Sequence, residues 1–295
     1  MNRLEGRKMG KRKRKKKRRA RGCLLVFLTI IICVVSFHYV QYKWTALHVP
    51  YGEKIKENDY DWSRLTIDEK GRKQYTNQED ESAFVGIDVS KYQGDIDWGK
   101  VKNDGIEFAI LRGGYRGAGN GEIVLDEKFL ENIQQATEAG IKIGVYFFSQ
   151  AITEVEAIEE ANFLLEHTKE YTITYPFVFD MEEFVTEENR IDTLTIAERM
   201  AITHAFCDTI QASGKKVMIY GGNSWLLYRL QPSEIQQYDL WLAQYSGAPS
   251  YPYQFQIWQY SDAGMVDGIA TKVDMNLSFY DYSENEDNET ERTGD

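Results

Sequence analysis

Short apolar runs alternate with amphipathic stretches between residues 84 and 280. Most of the runs are almost continuously apolar and rich in β-branched or aromatic residues, which is typical of parallel strands that are covered on both faces. In chain order they are FVGIDVS (84–90), FAILRGG (108–114), IKIGVYFF (141–148), PFVFDME (176–182), KVMIYGG (216–222), LWLAQY (240–245), FQIWQYS (255–261) and KVDMNLSF (272–279). Residues 126–139, 153–169 and 195–213 have the spacing of helices.

The helical stretches carry their own start and stop signals. Asp126, Thr153 and Thr195 are the expected N-cap residues, and Gly140 and Gly214 are expected just after two helix ends. About eight strands with helices between the earlier ones predict an α/β fold, an irregular (β/α) barrel of the TIM-barrel type. The gaps between the last strands are short, so those strands should lack full helices.

The N-terminal part of the chain differs sharply from the rest in charge. Residues 1–22 contain 13 Lys and Arg and one Glu, whereas the remainder carries a net charge of −23. Residues 23–40 contain no charged side chain and are long enough to cross a hydrocarbon core of about 30 Å. Because cytoplasmic flanks are positive, we expect a single-pass cell-membrane anchor at 23–40, a cytoplasmic basic segment at 1–22 and an extracellular remainder.

Two other interpretations of the N-terminus are weaker. A cleaved signal peptide would show a small-x-small site after the apolar stretch, and SFHYVQYKW contains no convincing one. A nucleic-acid-binding arm could be equally basic, but charge directly before a spanning segment is better explained by orientation and anionic lipid. We therefore expect a membrane and no nucleic acid as a partner.

The flanks of the predicted barrel are polar. Residues 41–83 suggest a stalk with one short helix around residues 62–70, and the acidic residues 281–295 suggest a disordered tail. Cys207 is the one cysteine beyond the apolar stretch, which excludes a disulfide framework. No Cys/His cluster has the spacing of a metal site, so we expect neither a metal nor a cofactor.

Acidic residues stand at the ends of several predicted strands, where β/α barrels place their active sites. They are Asp88, Asp180, Glu182 and Asp274. Asp180 and Glu182 share one face of their strand, so one of the two pKa values should rise, as a general acid for glycoside hydrolysis requires. The alternative is an acidic strand end that forms ion pairs with Arg112 or Lys91.

Aromatic and amide side chains recur at the same strand ends. Aromatic rings bind the C–H faces of sugars. Each ring considered singly is better explained by the core, but their shared position favours a carbohydrate groove. The expected substrate-binding residues are Tyr115, Tyr146, Tyr220, Gln244, Trp258 and Tyr260, with Tyr245 also near this rim.

At this point the chain resembles a known family, the family 25 glycoside hydrolases, which are N-acetylmuramidase-type lysozymes. The resemblance rests on GIDVSKYQGDIDW (86–98), RGGY (112–115), IGVYFF (143–148), FDME (179–182), LWLAQY (240–245) and IWQYSDAGMVDGIATKVDMN (257–276). It covers residues 84–280 in order. It implies an irregular β/α barrel and cleavage of the β-1,4 bond between N-acetylmuramic acid and N-acetylglucosamine.

The resemblance also implies roles for the acids. Glu182 matches the general acid, Asp180 the carboxylate that orients the 2-acetamido group of the substrate, and Asp88 and Asp274 two further acids of the site. Substrate assistance and a directly activated water both remain open as mechanisms. Many members have His where Phe147 stands, from which we expect altered groove contacts rather than lost activity.

Together these features predict a membrane-tethered, monomeric muramidase that acts outside the cell on peptidoglycan glycan strands. One alternative is a catalytically silent peptidoglycan-binding module, against which the retention of all four acids argues. Another is a barrel hydrolase for a different glycan, such as chitin or a capsular polymer. The biological role stays open between remodelling of the cell's own wall, service to a secretion or conjugation machine, and attack on competitors.

Overall fold

The computed structural model describes residues 55–183 and 189–282 of the chain. The strands are β1 Leu65–Ile67, β2 Lys73–Tyr75, β3 Phe84–Val89, β4 Phe108–Arg116, β5 Ile123–Leu125, β6 Lys142–Phe148, β7 Phe177–Asp180, β8 Val217–Gly222, β9 Asp239–Ala243, β10 Ile257–Gly264 and β11 Val273–Ser278. The helices are α1 Trp98–Asn103, α2 Phe129–Glu138, α3 Glu154–Thr168, α4 Ile196–Ala212, α5 Asn223–Tyr228 and α6 Pro232–Ile235. Single 3₁₀ turns lie at Trp62–Arg64 and Lys91–Gln93.

Eight strands close into a barrel in the order β3-β11-β10-β9-β8-β7-β6-β4, with β4 paired again to β3. The parallel pairs are β3–β4, β4–β6, β6–β7, β7–β8, β8–β9 and β9–β10. Strand β11 is antiparallel to both of its neighbours, and the short β5 is antiparallel to β4. The predicted irregular barrel of about eight strands is confirmed, and its irregularity lies in the direction of the closing strand.

The long helices follow the predicted signals with one exception. Thr153 and Thr195 cap α3 and α4 through their side chains, and Gly140 and Gly214 follow the ends of α2 and α4 with φ of +72° and +73°. These left-handed φ values suit glycine because it has no Cβ. Asp126 does not cap α2, which begins at residue 129.

The barrel interior is filled below the C-terminal ends of the strands. The ring of Phe108 stacks on Tyr175 with 4.4 Å between ring centroids. A Cβ on Gly86 would lie 2.3 Å from the Phe108 ring, so this glycine leaves the room that the ring occupies. Because the lower interior is packed, open space inside the barrel lies at its upper end.

The outer face of β10 and β11 is covered by residues 55–83, here called the strap. No helix occupies the connections from β9 to β10 or from β10 to β11. Instead, the rings of Tyr60 and Trp62 pack on Phe255 and Phe279, and the Tyr60 hydroxyl donates to the Phe255 carbonyl at 2.6 Å. The strap therefore supplies the layer that a helix supplies elsewhere.

The predicted stalk is consequently wrong for residues 55–83. Tyr75 and Ala83 are buried, because the apolar flank of the last strands needs a cover. In place of the predicted helix around residues 62–70, the turn Trp62–Arg64 leads directly into β1.

The predicted tail also begins too early. Tyr282 is buried and its hydroxyl donates to Asp239 at 2.7 Å. Residues 41–54 and 283–295 lie outside the described residues, as do the predicted cytoplasmic segment at 1–22 and the predicted anchor at 23–40. Within the described ranges, no helix combines the length and the apolar character needed to cross a membrane.

Candidate active site

A cavity of about 270 Å³ opens at the C-terminal ends of the parallel barrel strands and the N-terminal end of β11. Polar and aromatic side chains from β3, β4, β6, β7, β8, β9, β10 and β11 and their following loops surround it. The lining residues are Asp88, Val89, Ser90, Tyr92, Gln93, Arg112, Tyr146, Phe148, Asp180, Glu182, Tyr220, Trp241, Tyr245, Gln259 and Asp274. The four acids singled out in the sequence thus lie in one cavity, and they are called the acid cluster below.

Asp180 and Glu182 reach the cavity from the end of β7. Asp180 is the last residue of the strand, and Glu182 follows two positions later. Met181 between them is buried in the apolar layer outside the barrel. The predicted alternation at this strand end is therefore confirmed, and it brings both carboxyls to the same side.

Burial raises the pKa of both carboxyls. Asp180 is buried, and its pKa lies well above the ordinary value because of burial first and of the nearby Glu182 and Asp88 next. The pKa of Glu182 rises to about 7 through burial and through Asp274. Asp180 Oδ1 has no hydrogen-bond partner among the described residues. Glu182 therefore retains a proton near neutral pH, as a general acid must.

Asp88 and Asp274 face each other across the antiparallel pair of β3 and β11. Burial raises the pKa of Asp88 to about 6, although Asn276 and Gln259 each donate to its Oδ2 at 2.8 Å. Burial, followed by the charge of Asp88, raises the pKa of Asp274 to about 8. A hydrogen bond between the two side chains lowers the pKa of Asp88 and raises that of Asp274. At neutral pH the proton of this pair accordingly resides on Asp274.

Neither of the two cations near the cavity forms an ion pair with the acid cluster. Arg112 Nε donates to Asp126 at 2.7 Å, and Lys91 donates to Glu127 at 2.6 Å. The alternative in which the strand end is a structural ion pair with Arg112 or Lys91 is therefore wrong. Asp126, expected as a helix cap, is instead buried as the partner of Arg112.

Two tyrosines and an amide hold Asp88 from the opposite wall. The hydroxyls of Tyr220 and Tyr245 donate to Gln259 Oε1 at 2.9 and 2.8 Å. Gln259 Nε2 in turn donates to Asp88. On the other side, Trp241 Nε1 donates to Asn276, the second donor to Asp88. This network fixes the orientation of one carboxylate without adding charge.

Two of the six expected substrate-binding residues, Tyr146 and Tyr220, line the cavity. Tyr115 lies outside the lining, with its ring 5.5 Å from the guanidinium of Arg112. Gln244 also lies outside it, where its side chain donates to Ser250 at 2.9 Å.

The placement of Trp258 and Tyr260 at the rim is wrong. Alternation along β10 directs Gln259 into the barrel and its two neighbours outward. Trp258 is fully buried and Tyr260 is 6% exposed, both in the apolar layer outside the barrel. The expected change of groove contacts at Phe147 is wrong for the same reason, because this ring packs outward on Phe163.

Sequence reasoning missed several lining residues. Tyr92 and Gln93 lie in the 3₁₀ turn that follows β3, and Trp241 faces inward from β9. The Tyr92 ring is 71% exposed, and the Arg112 guanidinium lies 5.0 Å from its centroid. The sequence signal was available, since Ser90 and Gln93 form a capping box directly after the strand that carries Asp88.

No group of three or more His, Cys, Asp or Glu side chains in residues 55–183 and 189–282 is arranged to hold a metal ion. The chemistry that the described site offers is proton transfer among carboxyls. Paired carboxyls with raised pKa values at the mouth of a β/α barrel are the groups that a glycoside hydrolase uses for catalysis.

Comparison with known proteins agrees with this class. The sequence model described as glycosyl hydrolases family 25 matches residues 87–269. The chain belongs to this family and is a glycoside hydrolase.

Among curated relatives, the uncharacterized protein YegX of Escherichia coli is 30% identical over 200 residues, covering 65% of this chain and 68% of YegX. Lysozyme M1 of Streptomyces globisporus is 28% identical over 206 residues, or 67% of this chain and 68% of that protein.

Solved structures show the same fold. The bacterial lysozyme from Streptomyces coelicolor superposes with a TM-score of 0.57 at 26% identity, covering 68% of this chain and 94% of that one. The modular autolysin LytC from Streptococcus pneumoniae superposes with a TM-score of 0.60 at 25% identity, covering 77% of this chain. The match spans about half of LytC, 52% of its length.

Proposed function

We propose that this chain is a muramidase that hydrolyses the β-1,4 bond between N-acetylmuramic acid and N-acetylglucosamine in peptidoglycan. The observation that carries the proposal is the acid cluster, in which Glu182 holds a proton near pH 7 beside the buried Asp180. Two relatives are named as lysozymes, Lysozyme M1 and the Autolytic lysozyme of Clostridium acetobutylicum. LytC has also been solved with a synthetic peptidoglycan ligand, which supports the choice of substrate.

In the proposed first step, Glu182 donates its proton to the glycosidic oxygen as the bond from that oxygen to C1 breaks. The carbonyl oxygen of the substrate's own 2-acetamido group forms the new bond to C1, so no protein nucleophile is needed. Asp180, which lines the cavity, accepts from the acetamido N–H. Water then attacks C1 as the bond from C1 to the acetamido oxygen breaks, which restores the acetamido group, and the proton of the water passes to the Glu182 carboxylate.

The alternative chemistry is a water activated directly by a carboxylate. The two routes are separated by glycan strands whose 2-acetamido groups have been converted to amines. Substrate assistance requires the acetamido carbonyl, so these strands should be cleaved at least about 100-fold more slowly than acetylated ones. Equal rates would assign the attack to water.

The substrate and the bond are tested by product analysis. The purified chain is incubated with N-acetylated peptidoglycan, and the products are reduced with borohydride and weighed by mass spectrometry. Muropeptides that end in reduced N-acetylmuramic acid are expected, and Glu182→Gln provides the blank for contaminating enzymes. New ends of N-acetylglucosamine, or preferred cleavage of chitin or a capsular polymer, would contradict the proposed bond. Binding to wall sacculi without cleavage would favour the silent module.

We further propose that residues 23–40 anchor the chain in the cell membrane, with residues 1–22 in the cytoplasm and the barrel outside. The difference in net charge between the basic residues 1–22 and the acidic remainder supports this orientation. Protease added to intact cells should degrade the barrel, and the barrel should remain in the membrane fraction after alkaline washing. Recovery of a shortened chain from the medium would indicate cleavage instead. A tethered enzyme reaches mainly the wall of its own cell, which favours a role in remodelling that wall.

A further inference from the structure

We propose that Lys73 of the strap is a positioning residue for Tyr245, and that the strap thereby shapes one wall of the active-site cavity. Its kinetic consequences rest on the proposed function, whereas the contacts themselves do not. Lys73 does not line the cavity, and the family match begins at residue 87, beyond the strap. The argument follows the contacts from Lys73 inward.

The first step is the contact between Lys73 and the loop after β9. Lys73 Nζ donates to the backbone carbonyls of Ser246 and Gly247, the latter at 2.6 Å. The same ammonium lies 4.3 Å from the centroid of the Trp258 ring. A cation held by two carbonyls and an aromatic face has a fixed place, because each of these contacts favours the charge.

The second step fixes the other side of the loop. Trp258 Nε1 donates to the Gln244 carbonyl at 2.9 Å. The carbonyls of residues 244, 246 and 247 are therefore bound either by Lys73 or by the ring that Lys73 covers. Tyr245 stands between them, so its backbone is held from both sides.

The third step leads from Tyr245 to the acid cluster. The Tyr245 side chain lines the cavity and is 53% exposed, so little packing holds its ring. Its hydroxyl donates to Gln259 Oε1 at 2.8 Å, and Gln259 donates to Asp88. Because the ring is half exposed, the backbone at position 245 determines where it stands. That backbone is held on its N-terminal side by the amide of Gln244, which donates to the Gln259 carbonyl at 3.1 Å, and on its C-terminal side by Lys73.

The kinetic test uses the full-length chain and three lysine variants. Lys73→Met keeps the length of the side chain and removes its donors, whereas Lys73→Arg retains a cation that can reach both carbonyls. Lys70→Met is the matched control, since Lys70 lies in the same strap but pairs with Asp104. On peptidoglycan we expect Lys73→Met to raise KM about five- to tenfold with kcat changed less than twofold. Lys73→Arg and Lys70→Met should remain within about twofold of the wild type.

A double-mutant comparison tests whether the effect passes through Tyr245. If it does, adding Lys73→Met to Tyr245→Ala should raise KM by less than about twofold. An undiminished effect in that background would overturn the proposal. So would failure of Lys73→Arg to restore KM.

Hydrogen exchange tests the positioning without any turnover. The amides of Ser246 and Ser250 donate to the carbonyl and the side-chain oxygen of Gln244, each at 3.0 Å. Lys73→Met should speed their exchange about tenfold and Lys70→Met should not. Unchanged exchange in Lys73→Met, or faster exchange throughout the barrel, would overturn the proposal. If Lys73→Met speeds exchange at these amides but the wild-type chain does not cleave peptidoglycan, the positioning role of Lys73 is supported and the proposed function is contradicted.

Discussion

Two sets of carboxyls lie in or against the barrel, and their charges are compensated in different ways. The acid cluster consists of Asp88, Asp180, Glu182 and Asp274, and none of them forms an ion pair with a described residue. The other set is paired with arginines, as Asp104–Arg72, Asp126–Arg112 and Glu160–Arg116. In the first set, protons remove most of the charge at neutral pH and two amide donors hold the remaining Asp88 carboxylate, whereas fixed cations pair with the second set.

A raised pKa does not by itself separate the two sets. Burial raises the pKa of Glu160 to about 7 even though Arg116 lies beside it, and Glu182 reaches about the same value. What differs is access, because Glu182 lines a cavity and Glu160 is fully buried between a helix and the sheet. A proton held at a cavity can be given to a substrate. A proton or charge on Glu160, which lies buried under a helix, affects the stability of the fold instead.

The largest expected effect is a loss of activity on substitution in the acid cluster, which distinguishes it from the arginine-paired carboxyls. Glu182→Gln should lower kcat at least about 1,000-fold, because the amide has no proton to donate to the leaving oxygen. Release of reducing ends from peptidoglycan measures the effect, and the melting temperature at pH 5 should change little. Retention of more than a tenth of the wild-type rate would remove Glu182 from the role of general acid.

The next effect is a loss of folding stability on substitution of an arginine-paired carboxyl. Glu160→Met removes the buried partner of Arg116, whose Nε donates to Glu160 at 2.7 Å. The buried guanidinium would keep only the exposed Glu159 and two backbone carbonyls as partners, which should lower the free energy of unfolding by about 3 kcal/mol, measured by urea denaturation. Values of kcat and KM for the folded enzyme should stay within about twofold. A fall in kcat at unchanged stability would place Glu160 with the acid cluster.

A third effect concerns how stability depends on pH. The folded-state pKa of Glu182 is about 7 and the ordinary value is 4.5, so the folded state binds more protons between these values. Stability from protonated Glu182 is full below about pH 4.5 and is lost as pH rises through 7. Glu182→Gln avoids this loss and should be more stable than the wild type by roughly 3 kcal/mol at pH 8, with no difference at pH 4. Parallel urea-stability curves across this range would contradict the raised pKa.

The smallest effect acts within the acid cluster. The wild-type profile of kcat/KM should fall on the alkaline side with an apparent pKa of about 7, as Glu182 loses its proton. Asp274 contributes to that raised value, so Asp274→Asn should move the alkaline limb to lower pH. The shift should be about half a unit, because Asp274 is itself largely protonated at neutral pH. A limb that moves upward would show that Asp274 stabilises the ionised form of Glu182.

Much of this arrangement could be predicted from the sequence, for a definite reason. Each barrel strand is a local apolar run, and parallel strands bring their C-terminal ends to one mouth. Asp88, Asp180 and Glu182, at or just past the ends of parallel strands, were therefore predictable neighbours. Asp274 joins them from the beginning of β11, because that strand is antiparallel to both of its neighbours, a direction that the sequence pattern did not predict. The assignment of Glu182 as general acid and Asp180 as orienting group stays a prediction.

Other features depended on contacts distant in the chain. The strap looked like a polar linker because its aromatic residues are scattered, and their partners Phe255 and Phe279 lie about 200 residues away. Asp126 had the position of a helix cap, but its pairing with Arg112 is tertiary. Trp258 and Tyr260 are different, since strict alternation around Gln259 would have placed them on the outer face.

The strap also bears on how far the enzyme can reach. Had residues 41–83 all been free linker, they could have spanned at most about 150 Å between the proposed anchor and the barrel. Since residues 55–83 lie along the barrel, the 14 residues from 41 to 54 connect it to the proposed anchor. Fully extended, such a length spans at most about 50 Å. Under the proposed anchoring and function, the barrel would act on glycan strands close to the membrane, and more distant layers of the wall would lie beyond its reach.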